Sequence, residues 1–256
     1  AIELMPVMEY EGNESWGYNT AFHMSVDKFY GPEEKLKEFI DLCHQNGIAV
    51  IFDLVMNHVM GRSPMNRMWM NDPDGNGWGE PSEESPYFNE IATHSYGLGN
   101  DFNHQSSYTQ YYTQRVVKHW IEEFKIDGIR WDLTKGFTQN CNAGDDGCTN
   151  AYQQDRVDVL KSYADYSWSL DPDHYVIFEH LGGSSEEQQW ANYRLNEGKG
   201  ISESYKELVS RRLKNVLVEL EPTRWKISSQ TGNEAEDFPD ESEIAQVVEY
   251  FVESHW

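Results

Sequence analysis

Three short segments hold the residues whose types and spacing could do chemistry. Asp53, Asn57 and His58 stand in DLVMNH, Arg130, Asp132 and Lys135 in GIRWDLTK, and Glu179 and His180 in FEH. Each cluster follows an apolar run, so each puts charge at the end of a segment suited to burial. A buried charge costs several kcal/mol unless it is paired, which means these clusters must find partners. Arg130 and Asp132, two residues apart, share one side of a strand. An arginine beside a carboxylate lowers its pKa and fixes its pose, making Asp132 a candidate nucleophile. Glu179, after the apolar YVIF, is expected to be partly desolvated, with its pKa raised toward the range of a general acid. Two carboxylates with divided roles are what glycoside hydrolysis uses, and a separation of about 5 Å corresponds to the retaining route.

The elements that must position these residues alternate along the chain. AIELMPV, IAVIFDLV, IDGIRWDL and HYVIFEHL read as strands. EEKLKEFIDLCHQNG, closed by Gly47, then YTQYYTQRVVKHWIEEF and QQDRVDVLKSYADYSWSL carry apolar residues at helical spacing. Strict alternation of strand and helix predicts crossover units and a parallel sheet. No GxGxxG or GxxxxGK[ST] follows a strand, which removes support from nucleotide-binding open sheets. The predicted fold is α/β, a (β/α)8 TIM barrel that is incomplete, with about five strands visible, and a different, open arrangement is the alternative because a closed barrel needs eight. An irregular lobe, rich in Gly, Pro, Asn, Asp and Ser, is inserted after the third barrel strand. The expected division is 1–59 and 108–200 as barrel parts, 60–107 as the lobe, and 201–256 as an atypical C-terminal segment, the remnant of later strands. Within that segment SESYKELVSRRLKNVLVEL reads as a helix and IAQVVEYFVESHW as a last strand. In a barrel all strand C-termini open on one face, so the three clusters would converge there.

Composition narrows the partners. With 44 acidic against 20 basic residues the net charge is -24, which argues against nucleic acid and favours a neutral or cationic partner. No apolar run approaches the ~20 residues of a membrane span, and AIELMPV lacks the charged start and cleavage site of a signal peptide. Cys43, within a helical pattern, reads as a buried apolar filler. Cys141 and Cys148 bracket CNAGDDGC and are either bridged or two free thiols. A bridge would favour an extracytoplasmic location, secreted or periplasmic, over a cytoplasmic one.

DLVMNH resembles the DxxxNH motif of the α-amylase family of glycoside hydrolases, GIRWDLTK its GxRxDxxK motif, and FEH its glutamate strand, in the same order. AIELMPVMEYEGNESWGYNTAF is also similar to the strand and loop before the first motif in bacterial members, so the likeness runs from residue 1 to about 195. The resemblance implies that Asp132 is the nucleophile, Glu179 the acid/base and Arg130 the residue that positions Asp132. It implies sugar contacts by His58 through hydrogen bonds and Tyr18 through ring stacking, and a grip on the next sugar by Lys135 with Gly136. His180 and His255 join these as expected substrate contacts, and Asp53 holds the site together. Calcium is a further implication, with Asn57, Asp101 and a carbonyl at Gly136 as ligands, although related enzymes without calcium keep the asparagine. Trp16, Trp69 and Trp78, in Gly/Asn-rich loops, are the expected exposed platforms for sugar.

One departure stands out. The family's third carboxylate follows a histidine on a later strand, whereas His255 in YFVESHW is followed by Trp256. The first and last barrel strands are also not visible. The 256-residue form is accordingly expected to be a truncated catalytic domain that folds poorly and hydrolyses slowly or not at all. The implied substrate is an α-1,4-glucan such as starch, glycogen or a maltooligosaccharide. The alternatives are a branching enzyme or glucanotransferase of the same family, a non-catalytic protein of this fold that binds glucan or protein, and an unrelated barrel hydrolase using Asp53, His58 and Glu179 as metal ligands.

Overall fold

The computed structural model describes residues 1–191, 193–199 and 201–202. The expected C-terminal helix and last strand, and His255 with them, lie outside the described residues. The described residues belong to one compact unit.

In chain order the elements are β1 (Ile2–Leu4), β2 (Met8–Tyr10), β3 (Thr20–Val26), α1 (Glu33–Gln45), β4 (Val50–Leu54), β5 (His58–Val59) and α2 (Pro64–Met68). They continue with β6 (Asn100–Asp101), α3 (Ser107–Phe124), β7 (Gly128–Trp131), α4 (Asp146–Asn150), α5 (Gln154–Leu170), β8 (Tyr175–Phe178), α6 (Ser184–Ala191) and β9 (Ile201–Ser202). Five strands form a sheet in the order β1-β4-β7-β8-β9, and every neighbouring pair is parallel. Sequential order with crossover helices is the winding of a (β/α)8 barrel, and the sheet is an incomplete one.

Helix α3 shows why these residues form these elements. Val116, Val117, Trp120, Ile121 and Phe124 are all buried, at the three- and four-residue spacing that gives a helix one apolar face. The Ser106 side chain caps the start by accepting the Tyr108 N–H. Trp120 packs edge-on against Phe52 of β4 at 5.3 Å and donates its indole N–H to the His23 carbonyl at 2.8 Å. Helix α1 ends where expected, with Gly47 at φ +70 just beyond it, and Cys43 is buried and unbridged.

Two elements differ from expectation. The stretch read as a Gly/Asn-rich loop contains the antiparallel hairpin β2–β3; β2 has only three residues and its register against the seven-residue β3 is irregular, so period-two alternation is hard to see. The fifth strand is β9, beside β8, in the GKGISES stretch where a helix was expected to begin. Two residues of strand carry almost no pattern of their own. The inserted lobe holds α2, the strand β6, which pairs with β5 just before the lobe, and the single bridges Met70–Pro81 and Phe88–Phe102. Cys141 and Cys148 are disulfide-bonded. Among the described residues no helix is long and apolar enough to cross a membrane.

Candidate active site

Strand pleating sorts the side chains of the sheet. Val50, Phe52 and Leu54 of β4, Ile129 and Trp131 of β7, and Val176 and Phe178 of β8 all enter the hydrophobic core. The alternate residues must face the other way. Asp53 pairs with Arg130 across β4–β7, and Arg130 pairs with Ile177 across β7–β8. Asp132 and Glu179, each two residues further along its own chain segment, continue that second face. The three clusters therefore meet at the C-terminal ends of three neighbouring strands.

Arg130 is the centre of the meeting point. Its Nη1 donates to Asp53 Oδ2 at 2.6 Å and to Asp132 Oδ1 at 3.0 Å, and its Nη2 lies 2.8 Å from Glu179 Oε1. Two carboxylate oxygens touching one planar guanidinium are at most about 8 Å apart. Asn57 Nδ2 donates to Asp132 Oδ2 at 3.1 Å, and the Leu133 N–H donates to Glu179 Oε2 at 2.9 Å. Leu133 adopts left-handed backbone, φ 44 and ψ 53, and Leu181, two residues after Glu179, does so as well at φ 52. Such a conformation costs of the order of 1–3 kcal/mol for a non-glycine residue and is characteristic of functional sites. At Leu133 it turns the chain so that the backbone N–H faces Glu179.

Charge at this face is unbalanced. Burial, then the charges of Asp53 and Glu179, push the Asp132 carboxyl up to about 7, against the lowering effect of Arg130. This corrects the expectation that the arginine leaves Asp132 with a lowered pKa: its pull is present but burial outweighs it. Asp53 is raised too, by burial first, with Arg130 and the Tyr18 hydroxyl opposing. The Tyr18 hydroxyl donates to Asp53 Oδ2 at 2.8 Å, while Asp53 Oδ1 is buried with no partner among the described residues. Glu3 is a site carboxylate that the sequence reading missed. It sits opposite Ile51 on the same side of the sheet, and burial followed by the Asp53 charge raises it to about 7. A lone acid inside the apolar AIELMPV was the available signal.

Several expected substrate contacts are committed elsewhere. His58 is buried and, with burial lowering its pKa to about 4, neutral. Its Nδ1 faces Asn57 Oδ1 and its Nε2 lies 2.9 Å from the Tyr18 carbonyl; the neutral ring can donate its single N–H to only one of these oxygens, but both nitrogens are covered, so neither is open to a sugar in this arrangement. His180 is 1% exposed; its Nδ1 pairs with Thr134 Oγ1 at 3.1 Å and its ring meets Trp190 edge-on. It lies behind the face, near the buried Arg156–Glu186 ion pair at 2.7 Å, which the sequence reading did not foresee. Lys135 Nζ donates to Asn150 Oδ1 at 2.7 Å. Of the expected platforms, Trp16 and Trp78 are 77% and 47% exposed, whereas Trp69 is half-buried, edge-on against Tyr87.

The proposed calcium ligands do come together but do not fit the ion. A side-chain carbon at Gly136 would lie 3.1 Å from His94 Nε2 and 3.2 Å from Asn57 Cβ, so the His94 ring stands among them. His94 Nε2 pairs with Asp101 Oδ1 at 3.0 Å, and Asp101 Oδ2 accepts from Asn89 Nδ2 at 2.6 Å and the Thr93 N–H at 3.2 Å. Asn57 has its amide nitrogen on Asp132 and its oxygen on His58. Calcium needs six to eight oxygens around one point, and here the side-chain oxygens of Asn57 and Asp101 already face other groups of the protein. Among the described residues no group of three or more His, Cys, Asp or Glu could hold a metal.

A sheet of sequential βα units with ionisable residues at its strand C-termini has the architecture of the (β/α)8 enzymes. Residues 1–66 match the family model of the α-amylase catalytic domain. The chain is 30% identical over 207 residues to the 1,4-alpha-glucan branching enzyme GlgB of Halothermothrix orenii, covering 74% of this chain and 31% of that protein. It is 30% identical over 141 residues to the malto-oligosyltrehalose trehalohydrolase of Saccharolobus solfataricus, covering 55% of this chain and 22% of that protein. The solved α-amylase from Geobacillus thermoleovorans, complexed with acarbose, aligns with a TM-score of 0.51 and 23% identity over 75% of this chain and 38% of its own. The chain belongs to the α-amylase family of glycoside hydrolases. It spans less than a third of the length of these two curated relatives.

Proposed function

We propose that this chain carries the reacting centre of a retaining enzyme acting on α-1,4-glucans, with Asp132 as nucleophile, Glu179 as acid/base and Arg130 as the positioning residue. The observation that supports it is the single guanidinium of Arg130 reaching both carboxylates from neighbouring strand ends. In the first step Glu179 gives a proton to the glycosidic oxygen while Asp132 attacks the anomeric carbon, forming a glycosyl ester and releasing the shortened glucan. In the second step Glu179 takes a proton from the incoming hydroxyl, which displaces Asp132 and restores the original anomeric configuration. Burial of Asp132 suits this role, because a desolvated carboxylate is poorly stabilised in the ground state and gains on bonding to carbon.

The incoming hydroxyl is water in a hydrolase and a sugar in a branching enzyme or glucanotransferase. The relation to a branching enzyme over 207 residues favours keeping the transfer reading. Maltoheptaose incubated with the chain separates the cases: shorter reducing sugars mean hydrolysis, and longer or branched products mean transfer. No product, from the parent chain and from D132N alike, would leave a glucan- or protein-binding role instead. The bridged Cys141 and Cys148 support an extracytoplasmic setting, where such bonds persist.

A further inference from the structure

A cavity of about 560 Å³ opens between the β2–β3 hairpin and the inserted lobe, and it shares no lining residue with the carboxylate cluster. That volume is within the ~300–1,000 Å³ of ligand pockets. Glu9, Phe22 and Lys28 face it from the hairpin side, and Arg62, Arg67 and Trp78 from the lobe. The two guanidinium carbons lie 6.0 and 5.6 Å from the centre of the Trp78 ring. Among the described residues neither guanidinium has an ion pair or a hydrogen bond, although the chain has more than twice as many acidic as basic residues.

Arginines held this way have a use other than a salt bridge. A guanidinium packed over an aromatic ring keeps its in-plane N–H donors open. Trp78 is 47% and Phe22 41% exposed, and Gly61 lets backbone lie close to the indole, since a side-chain carbon there would come within 3.3 Å of Trp78 Cε3. Acceptors are present beside the donors: Glu9 Oε1 lies 2.8 Å from Lys28 Nζ, and Glu11 accepts the Arg62 backbone N–H. Flat apolar surface ringed by both donors and acceptors matches a pyranose, which has an apolar face and a rim of hydroxyls. A free anion fits less well, given Glu9 and Glu11 nearby and a chain charge of -24.

We propose that this cavity is a second saccharide-binding site, holding a neutral α-glucan segment on Trp78, Arg62 and Arg67 away from Asp132 and Glu179. The choice of an α-glucan rests on the function proposed above. The test is calorimetric titration of maltoheptaose into the 256-residue chain carrying Asp132→Asn, which prevents turnover. Two binding events are expected. Trp78→Ala, and separately the double variant Arg62→Gln with Arg67→Gln, should weaken one of them at least tenfold and leave the other, while Tyr18→Ala should weaken the other. Thermal melts of each variant confirm folding. A single event sensitive to Trp78→Ala but not to Tyr18→Ala would uphold this site and remove the glucan reading of the carboxylate cluster. A single event weakened by both substitutions would overturn the proposal, because the cavity would then extend the cleft. It is overturned equally if neither Trp78→Ala nor the arginine variant changes binding, or if inorganic phosphate displaces maltoheptaose from the site.

Discussion

Replacing Asp132 with asparagine should reveal what the chain spends to keep a carboxylate in that place. In the folded protein Asp132 is raised to about 7, against an ordinary aspartate value of ~3.9. A group with a raised folded pKa adds stability below its unfolded pKa and loses that stability as pH climbs through the folded value. Each pH unit between the two is worth about 1.4 kcal/mol, so the ceiling is about 4 kcal/mol lost between about pH 4 and pH 8. The asparagine cannot titrate and avoids the loss. It does mismatch one of the two hydrogen bonds that Asp132 accepts from Arg130 and Asn57, costing about 1–3 kcal/mol, but this term does not depend on pH and cancels in the comparison. Urea unfolding followed by tryptophan fluorescence should therefore show D132N gaining about 2–4 kcal/mol on the parent between about pH 4 and pH 8. A difference that stays constant, or that falls as pH rises, would refute the claim that burial holds Asp132 against its charge.

Other consequences follow from the same geometry. Arg130→Met leaves three carboxylates without their shared cation; with the Arg130 side chain 11% exposed, the loss at about pH 8 should be about 3–5 kcal/mol, shrinking near pH 4 as the acids take protons, and chemical denaturation at both values checks it. Replacing Cys141 and Cys148 together by serine should lower stability by about 2–3 kcal/mol, the loop-entropy value for a bridge spanning seven residues, measured against the oxidised parent. Melting temperatures in chelator and in excess calcium should agree, because His94 occupies the space among Asn57, Asp101 and Gly136; a rise in Tm that saturates with calcium would show a real site.

How much of this could be read from the sequence varied with the length of the signal. Strands of four or five residues that follow a helical segment, β4, β7 and β8, and helices of three or more turns, α1, α3 and α5, declared themselves. The hairpin β2–β3 and the two-residue β9 did not: β2 and β9 are too short for periodicity to appear, and the seven-residue β3 pairs in an irregular register. Motif residues on the strands, Asp53, Arg130, Asp132 and Glu179, do meet. Which histidines face outward was not legible: whether the rings of His58 and His180 point to the cleft or into the packing depends on Tyr18, Asn57, Thr134 and Trp190. Glu3 was hidden by its setting, an acid in a strand otherwise read as core. The direction of the Asp132 shift depended on burial, a quantity that only the packed fold supplies.

The most direct measurement is covalent trapping at the carboxylate itself. The 256-residue chain, incubated with a slow 5-fluoro glucosyl fluoride, quenched, digested and analysed by mass spectrometry, should carry one fluoroglucosyl group on the peptide containing Asp132, and Arg130→Met should slow its appearance. A label on Glu179 or elsewhere, or a chain that binds maltoheptaose and never becomes labelled, would contradict the assignment of Asp132 as nucleophile.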